Sequence, residues 1–263
     1  MSTGNPSWSL TSHLLSVHED QFVRATQSPF LKRAAQGSLS KAVISNWLAN
    51  DRLYMRGYIR LTGELLRILD LPEKPVSTKS RDPIELRLLD WLVDALVNIR
   101  REERFFLDVA ERYHINVDIA DSNGRVSDAK KIEGLKKFDK LFASLTTGEA
   151  PAAFLPWLEG VVVFWATEKV YFTAWSWAKE QAAASSMVDM EKDEDGGAMR
   201  KEFIPNWTNE EFIMFVDTLE GLLNEGVREA VGADEAMRRL VEDRASRVWA
   251  ELLDAEEHFW PQV

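Results

Sequence analysis

Residues 46–58 read NWLANDRLYMRGY, and they place one carboxylate, Asp51, in a stripe of aromatic side chains. Trp47 lies four residues before Asp51, and Tyr54 and Tyr58 lie three and seven residues after it. In an α-helix these spacings put all four side chains on one face, where a charged residue is unusual. Asp51 is therefore either a structural group, hydrogen-bonded to a neighbouring backbone or tyrosine group, or part of a binding site.

The same helical period runs through almost the whole chain. No stretch of five or more residues alternates with period two, so no strand is predicted. Polar or turn-rich segments, such as 71–83 and 118–127, separate about seven or eight predicted helices. We therefore predict an all-α fold in which residues 1–263 form a single domain. The acidic, glycine-containing stretch at about 185–202 is predicted to be a mobile surface loop.

The composition excludes several classes of partner and site. Hydrophobic residues make up 45% of the chain and Trp alone numbers 10, which is enough for a large core. The 43 acidic and 32 basic residues give a net charge of −11, which repels nucleic acid and anionic membranes. The absence of cysteine excludes disulfides and a cysteine nucleophile. We expect no nucleic-acid or membrane partner and, because no signal peptide is visible, a cytoplasmic location.

A second carboxylate, Glu168, lies in the most apolar predicted helix, VVVFWATEKVYFTAW at residues 161–175. Trp165, Phe172 and Trp175 share its face of that helix. Because the helix is apolar nearly all round, we expect it at the centre of a bundle. A glutamate there is either paired structurally or catalytic, since burial raises its pKa towards the range useful for proton transfer.

Three other glutamates lie beside apolar residues. Glu256, near the C-terminus, shares one helical face with Phe259 and two other apolar residues. Glu159 points away from Glu168 on the same helix and is the weaker candidate. Glu103 has three arginines close by in sequence, which predicts an ordinary ion pair.

No metal or cofactor site is visible among the four histidines. None of them completes the Glu-x-x-His pattern of di-iron bundles, and no P-loop or other glycine-rich phosphate loop occurs. His13 or His18 could be imagined as a haem ligand, but a lone histidine in such a helix is more often a surface or capping residue. We expect no metal and no cofactor.

Four stretches resemble the TenA (thiaminase II) family. PFLKRAAQGSLSKAVISNWLANDRLYMRGY at 29–58 resembles its first signature, an F-x-x-x-x-x-x-G-x-L followed by W/Y-L-x-Q-D-x-x-Y/F. WTNEEF at 207–212 and EEHFW at 256–260 resemble the family's W…E-F and closing E-x-x-F-W. FWATEKVY at 164–171 resembles a helix of the cysteine-lacking, plant-type branch, which is the only branch open to a chain without cysteine.

This resemblance implies a haem-oxygenase-like multi-helical bundle that binds no haem. It implies hydrolysis of amino- or formylamino-methylpyrimidines in thiamin salvage, and a homodimer or larger homo-oligomer. Asp51 would bind the amino group and a ring nitrogen of the pyrimidine, Glu256 would be a catalytic acid or base, and Glu168 the glutamate of the central helix. The aromatic residues expected around the ring are Trp47, Tyr54, Tyr58, Trp165 and Tyr171.

Two positions depart from the family pattern. Asn50 stands where the family has Gln, and Arg52 stands where an aromatic residue is common. The acidic stretch at about 185–202 is not a family feature either. Two other functions stay open on the same fold: a non-catalytic aminopyrimidine-binding or regulatory protein, and a redox or cofactor-using relative.

Overall fold

The computed structural model describes residues 8–77, 79–146, 154–184 and 189–263. Within these ranges the chain is helical and contains no strand. The α-helices are α1 (Leu10–Ser16), α2 (Glu19–Thr26), α3 (Pro29–Ala35), α4 (Lys41–Ile68), α5 (Ile84–Arg112), α6 (Glu133–Thr146), α7 (Leu158–Ala184), α8 (Ile204–Asn206), α9 (Glu210–Val231) and α10 (Glu235–Glu257). None of them is both long and apolar enough to cross a bilayer.

Serine side chains begin the helices that lead to Asp51. Ser28 Oγ accepts a hydrogen bond from the Leu31 backbone N–H at the start of α3, with Pro29 at the first helical position. Ser40 Oγ accepts one from the Val43 N–H and so begins α4. From this cap α4 runs for 28 residues, and its buried face carries Asp51 into the interior.

Helix α7 lies at the centre of the bundle. It packs against α2, α3, α9 and α10, and its buried residues point to every side of the helix. The buried apolar residues of the described chain form one contiguous cluster around it. This burial explains why its sequence is apolar nearly all round, and it confirms the predicted central position.

The acidic stretch that was predicted to be a surface loop is only partly exposed. Met190–Lys192 forms an exposed turn of 3₁₀-helix, whereas Met199–Phe203 forms a π-helical turn whose first and last residues are buried. Residues 185–188 of the same prediction lie outside the described ranges.

Two aspartates fix the second half of this stretch against the core. Asp193 is buried in an ion pair with Arg200. Asp195 is 1% exposed and accepts hydrogen bonds of 2.8 Å from the backbone N–H groups of Gly197 and Met199. The prediction of a surface loop is therefore wrong for these residues, because their carboxylates are internal hydrogen-bond acceptors and not solvated charges.

The first turn of α6 approaches the backbone that follows α10 very closely. The Gly134 N–H donates a hydrogen bond of 3.0 Å to the His258 carbonyl. A Cβ atom on Gly134 would lie 2.4 Å from the backbone nitrogen and Cα of Phe259. Only glycine permits this approach, and the contact fixes the end of α10, where Glu256 lies.

We expect Gly134→Ala to lower the free energy of unfolding by about 1–3 kcal/mol or more, because backbone atoms cannot yield as a flexible side chain does. Gly63→Ala is the matched control. Gly63 is exposed in α4, has no atom within 4 Å of an added Cβ, and should be neutral or stabilising. Denaturant unfolding measures both, and equal stability of the two variants would contradict the close approach.

Candidate active site

An inner chamber lies among α4, α5, α6, α7 and the C-terminal end of α10. It is narrow, with a cavity volume of about 40 Å³. Its wall combines carboxyl groups with aromatic rings. The residues that line it are Asp51, Tyr54, Met55, Tyr58, Ile99, Glu102, Phe138, Thr167, Glu168, Tyr171, Glu256 and Phe259.

A larger outer cavity of about 340 Å³ adjoins the chamber. Tyr58, Ile99, Glu102 and Glu168 line both spaces, so they form the passage between them. The rest of the outer wall is mostly asparagine and aromatic side chains of α5, of the end of α8 and of the start of α9. Arg101 and its ion-pair partner Glu211 complete it. Asp51 and Glu256 line only the inner chamber and thus mark its deep end.

Asp51 is 4% exposed and makes a hydrogen bond of 3.2 Å with the hydroxyl of Tyr171, which donates to it. In the described part of the chain, no lysine or arginine forms an ion pair with it. Burial raises the pKa of Asp51 well above its usual range, and the charge of Glu102 adds to this rise. The hydrogen bond from Tyr171 opposes the rise but does not cancel it.

Glu168 and Glu256 lie in the same chamber on two further helices. Glu168 accepts a hydrogen bond of 2.8 Å from the Tyr58 hydroxyl, and burial raises its pKa to about 8. Glu256 is 3% exposed in the last turn of α10. Burial raises its pKa well above the usual range, and the charges of Asp51 and Glu168 raise it further.

Glu102 is a fourth acid of this site, which the sequence analysis missed. Its carboxylate accepts a hydrogen bond of 2.5 Å from the indole N–H of Trp207, and burial raises its pKa to about 7. Ile99, Phe105 and Phe106 lie three before, three after and four after it, so the spacing that identified the other acids also applies here. Because Glu103 and several arginines are its neighbours in sequence, the segment around Glu102 reads as an ion-paired, solvent-exposed stretch.

The four carboxyl groups interact strongly enough to share their protons. Like charges in a small apolar space cannot all ionise, so such groups titrate as a coupled set. Burial raises all four pKa values, to about 7 for Glu102 and to about 8 for Glu168, so at neutral pH Glu102 is partly ionised while the other groups mostly keep their protons. The chamber thus offers a proton donor and a proton acceptor together. Among the described residues, no group of three or more candidate ligands is arranged to hold a metal ion.

Solved structures share this architecture over nearly the whole chain. A TenA homologue from Pyrococcus furiosus superposes with a TM-score of 0.67 at 22% identity, covering 95% of this chain and 98% of its own. The fold is that of the TenA homologues. A TenA homologue from P. horikoshii OT3 gives a TM-score of 0.64 at 13% identity, with 96% and 97% covered. A TenA family transcription regulator from Silicibacter sp. TM1040 gives 0.65 at 13% identity, with 97% and 96% covered.

Curated sequences are also similar to the chain, and no protein-family model matches it. A "Probable bifunctional TENA-E protein" from Glycine max is 21% identical over 251 residues, covering 95% of this chain and 91% of the relative. A "Probable transcription factor" from Fusarium pseudograminearum (strain CS3096) is 27% identical over 273 residues, covering 93% of this chain. The chain spans only 51% of that second relative. The resemblance to TenA and the predicted haem-oxygenase-like all-α architecture are confirmed at the level of the fold.

The TenA fold brings together most of the residues that the sequence selected. Helices α4, α7 and α10 each contribute one of the three predicted acids to the chamber. The predicted residues that line it are Asp51, Tyr54, Tyr58, Glu168, Tyr171 and Glu256. Phe259, which shares the face of Glu256 in sequence, is also in the wall.

Two predicted substrate-binding tryptophans are not in the wall of the chamber. Trp47 is fully buried in the core, where its ring lies 5.5 Å from that of Trp175. Trp165 packs on Trp249 and donates a hydrogen bond of 3.2 Å to Glu220, on a different side of α7 from the chamber. The helical period assigns a face to each residue, but it does not tell which part of that face meets the cavity.

Two glutamates that the sequence set aside are ion-paired. Glu103 pairs with Arg100 and with Arg56, the latter at 2.6 Å. Glu159 accepts hydrogen bonds of 2.6 and 2.7 Å from Arg244. The ion pair of Glu103 is the one that its neighbouring arginines predict, and the pairing of Glu159 agrees with its place as the weaker candidate.

We expect Glu168→Gln to change how stability depends on pH. Burial raises the pKa of Glu168 from its ordinary 4.5 to about 8, so within this window the folded chain holds a proton that the unfolded chain has lost. The free energy of unfolding is therefore undiminished at low pH, and the Glu168 contribution lowers it as the pH rises. The melting temperature of Glu168→Gln should match that of wild type at about pH 5 and exceed it at about pH 8. The increase should be about 2–4 °C for each kcal/mol of difference in the free energy of unfolding.

The control is Glu251→Gln, which neutralises an exposed carboxylate of the last helix. Its melting temperature should follow wild type at both pH values. A Glu168→Gln curve that stays parallel to wild type would contradict the raised pKa.

Proposed function

We propose that the protein is a C–N hydrolase of amino- or formylamino-methylpyrimidines, as in thiamin salvage, working by carboxylate acid–base chemistry. The observation that supports it best is that Asp51, Glu168 and Glu256, from three separate helices, line one aromatic-walled chamber. The Glycine max relative, whose name is "Probable bifunctional TENA-E protein", agrees with this proposal.

Asp51 would bind the pyrimidine at the deep end of the chamber. A carboxyl group and an aminopyrimidine form two parallel hydrogen bonds, one with the amino group and one with the adjacent ring nitrogen. The raised pKa of Asp51 suits this role, because a protonated carboxyl donates to the ring nitrogen while accepting from the amino group. The Tyr171 hydroxyl would fix the carboxyl orientation through its hydrogen bond.

The aromatic wall suits a flat heteroaromatic ring. Tyr54 lies close to three other rings of the chamber wall, those of Tyr58, Phe138 and Phe259, at centroid distances of 6.2, 4.9 and 5.9 Å, and to the ring of Phe142 outside the wall at 5.8 Å. Such walls favour a planar ligand by stacking and edge contacts. Because the inner chamber holds only about 40 Å³, the ring and its substituent would extend into the adjoining part of the 340 Å³ cavity.

Glu256 and Glu168 would divide the proton transfers. In the aminohydrolase reaction, water oxygen forms a bond to the methylene carbon while the carbon–nitrogen bond breaks. One carboxylate takes a proton from the water, and the other carboxyl gives a proton to the leaving nitrogen, which departs as ammonia. With a formylamino substrate, the same pair would direct water to the formyl carbon and release formate.

A non-catalytic aminopyrimidine-binding or regulatory protein is the second candidate. Two similar proteins, which are named a probable transcription factor and a TenA family transcription regulator, favour it. Such a protein would keep Asp51 and the aromatic wall but show no turnover. A homo-oligomeric assembly and a cytoplasmic location stay predictions from the sequence.

We expect the purified protein to release ammonia from an aminomethylpyrimidine or formate from its formylamino derivative. Glu256→Gln should lower kcat by about 10²–10⁴-fold with little change in KM, because it removes a proton-transfer group. Asp51→Ala should mainly raise KM, because it removes both hydrogen bonds to the aminopyrimidine. Steady-state kinetics separates the two effects.

Glu257→Gln is the matched control, since Glu257 is the next residue along α10 and forms an ion pair of 2.7 Å with the exposed Arg24. It should keep wild-type kinetics. Calorimetry that detects pyrimidine binding, together with an absence of turnover in the wild type, would contradict the hydrolase proposal and favour the regulatory one.

A further inference from the structure

Two hydroxyl groups of the inner chamber are buried without a hydrogen-bond partner. They are Tyr54 Oη and Thr167 Oγ1, and neither has a hydrogen bond of acceptable geometry within the described residues. Thr167 is only 6% exposed. Both residues line the chamber, one from α4 and the other from α7. Burying a hydroxyl without a partner costs free energy, so such a group calls for an explanation.

Other threonines of these long helices satisfy their hydroxyls locally. Thr62 in α4 donates to the carbonyl of Tyr58 at 2.9 Å, and Thr173 in α7 donates to the carbonyl of Lys169 at 2.7 Å. This bond to the carbonyl four residues earlier is the usual solution for a helical threonine. Thr167 does not make it, which leaves its hydroxyl available to the chamber.

The unpartnered hydroxyls lie beside the acids of the site. Thr167 directly precedes Glu168 in α7. The charges of Glu168 and Glu256 both raise the pKa of Tyr54, after the larger effect of burial, whereas the neighbouring Thr167 hydroxyl lowers it through a weak hydrogen-bonding interaction whose geometry falls short of a full hydrogen bond. Tyr54, Thr167 and the two glutamates therefore surround the same small volume.

We propose that Thr167, together with Tyr54, holds the water molecule that attacks the substrate. This inference rests on the proposed hydrolase function and adds a residue to it. The Tyr54 O–H donates a hydrogen bond to the water oxygen, while the water donates one hydrogen to Thr167 Oγ1 and the other to the carboxylate base. One lone pair of the water then stays free for the carbon.

The bond changes follow from this arrangement. As the new carbon–oxygen bond forms and the carbon–nitrogen bond breaks, the proton on the carboxylate side leaves the water for the glutamate. The acid supplies the proton for the departing nitrogen. The proton shared with Thr167 stays on oxygen and becomes the hydroxyl hydrogen of the product, so Thr167 orients the water without exchanging a proton.

The test compares three variants by steady-state kinetics with an aminomethylpyrimidine. Thr167→Val keeps the side-chain shape and removes the hydroxyl, Thr167→Ser keeps the hydroxyl, and Thr173→Val removes a hydroxyl of α7 that does not line the chamber. We expect Thr167→Val to lower kcat roughly 10- to 100-fold with KM within about threefold, because a misplaced nucleophile slows only the reaction step. Thr167→Ser should recover most of kcat, and Thr173→Val should resemble wild type.

Each other outcome overturns this inference in a recognisable way. If Thr167→Val raises KM and leaves kcat unchanged, the hydroxyl binds the pyrimidine and not the water. If Thr167→Ser is as slow as Thr167→Val while both keep the wild-type melting temperature, the hydroxyl has no role. If wild type itself shows no turnover, the hydrolase proposal fails and this inference fails with it, whereas an active Thr167→Val overturns the inference alone.

Discussion

The burial of carboxyl groups among aromatic rings, without cations to neutralise them, is the constraint on which the rest of the site depends. Asp51, Glu102, Glu168 and Glu256 line connected cavities, and within the described residues none of them belongs to an ion pair. Two other buried acids of the fold are paired with cations, Glu103 with Arg56 and Arg100, and Asp193 with Arg200. An uncompensated buried charge costs free energy, so these four groups titrate as a coupled set, and the proposed acid–base function rests on that coupling.

The aromatic core keeps this arrangement in place. Trp47, Trp175, Trp207 and Trp260 contact one another at ring-centroid distances of 4.6–6.1 Å. Trp207 also donates its indole N–H to Glu102, so the core contacts the site directly. Because close-packed rings cannot shift far, the acids cannot move apart to reduce their mutual repulsion. Holding the acids close together therefore lowers the free energy of unfolding at higher pH. Such a cost is expected of a site that binds or transforms a ligand.

Helical periodicity alone was enough to predict the fold class and three of the acids. Each of them has large apolar residues at the spacings that define a buried helical face, and that rule is local in sequence. Glu102 was missed because arginines and Glu103 surround it, and only the tertiary structure shows which of the two adjacent glutamates faces the chamber. The sequence places Trp47 and Trp165 in the site wrongly, because periodicity does not distinguish the core from a cavity wall. The composition of the segment that contains Asp193 and Asp195 predicts a surface loop wrongly, because composition does not reveal internal hydrogen bonds.

Carboxyl-carbon NMR titration of protein labelled in aspartate and glutamate tests the sharing of protons most directly. Some carboxyl signals should titrate above about pH 6, far outside the usual range. The coupled group that includes Glu102 and Glu168 should show apparent pKa values of about 7 and about 8. Replacing either residue by glutamine should remove one such signal and shift the others, because the groups are coupled. If every aspartate and glutamate signal titrates near its usual value, the four acids do not share protons and the account is wrong.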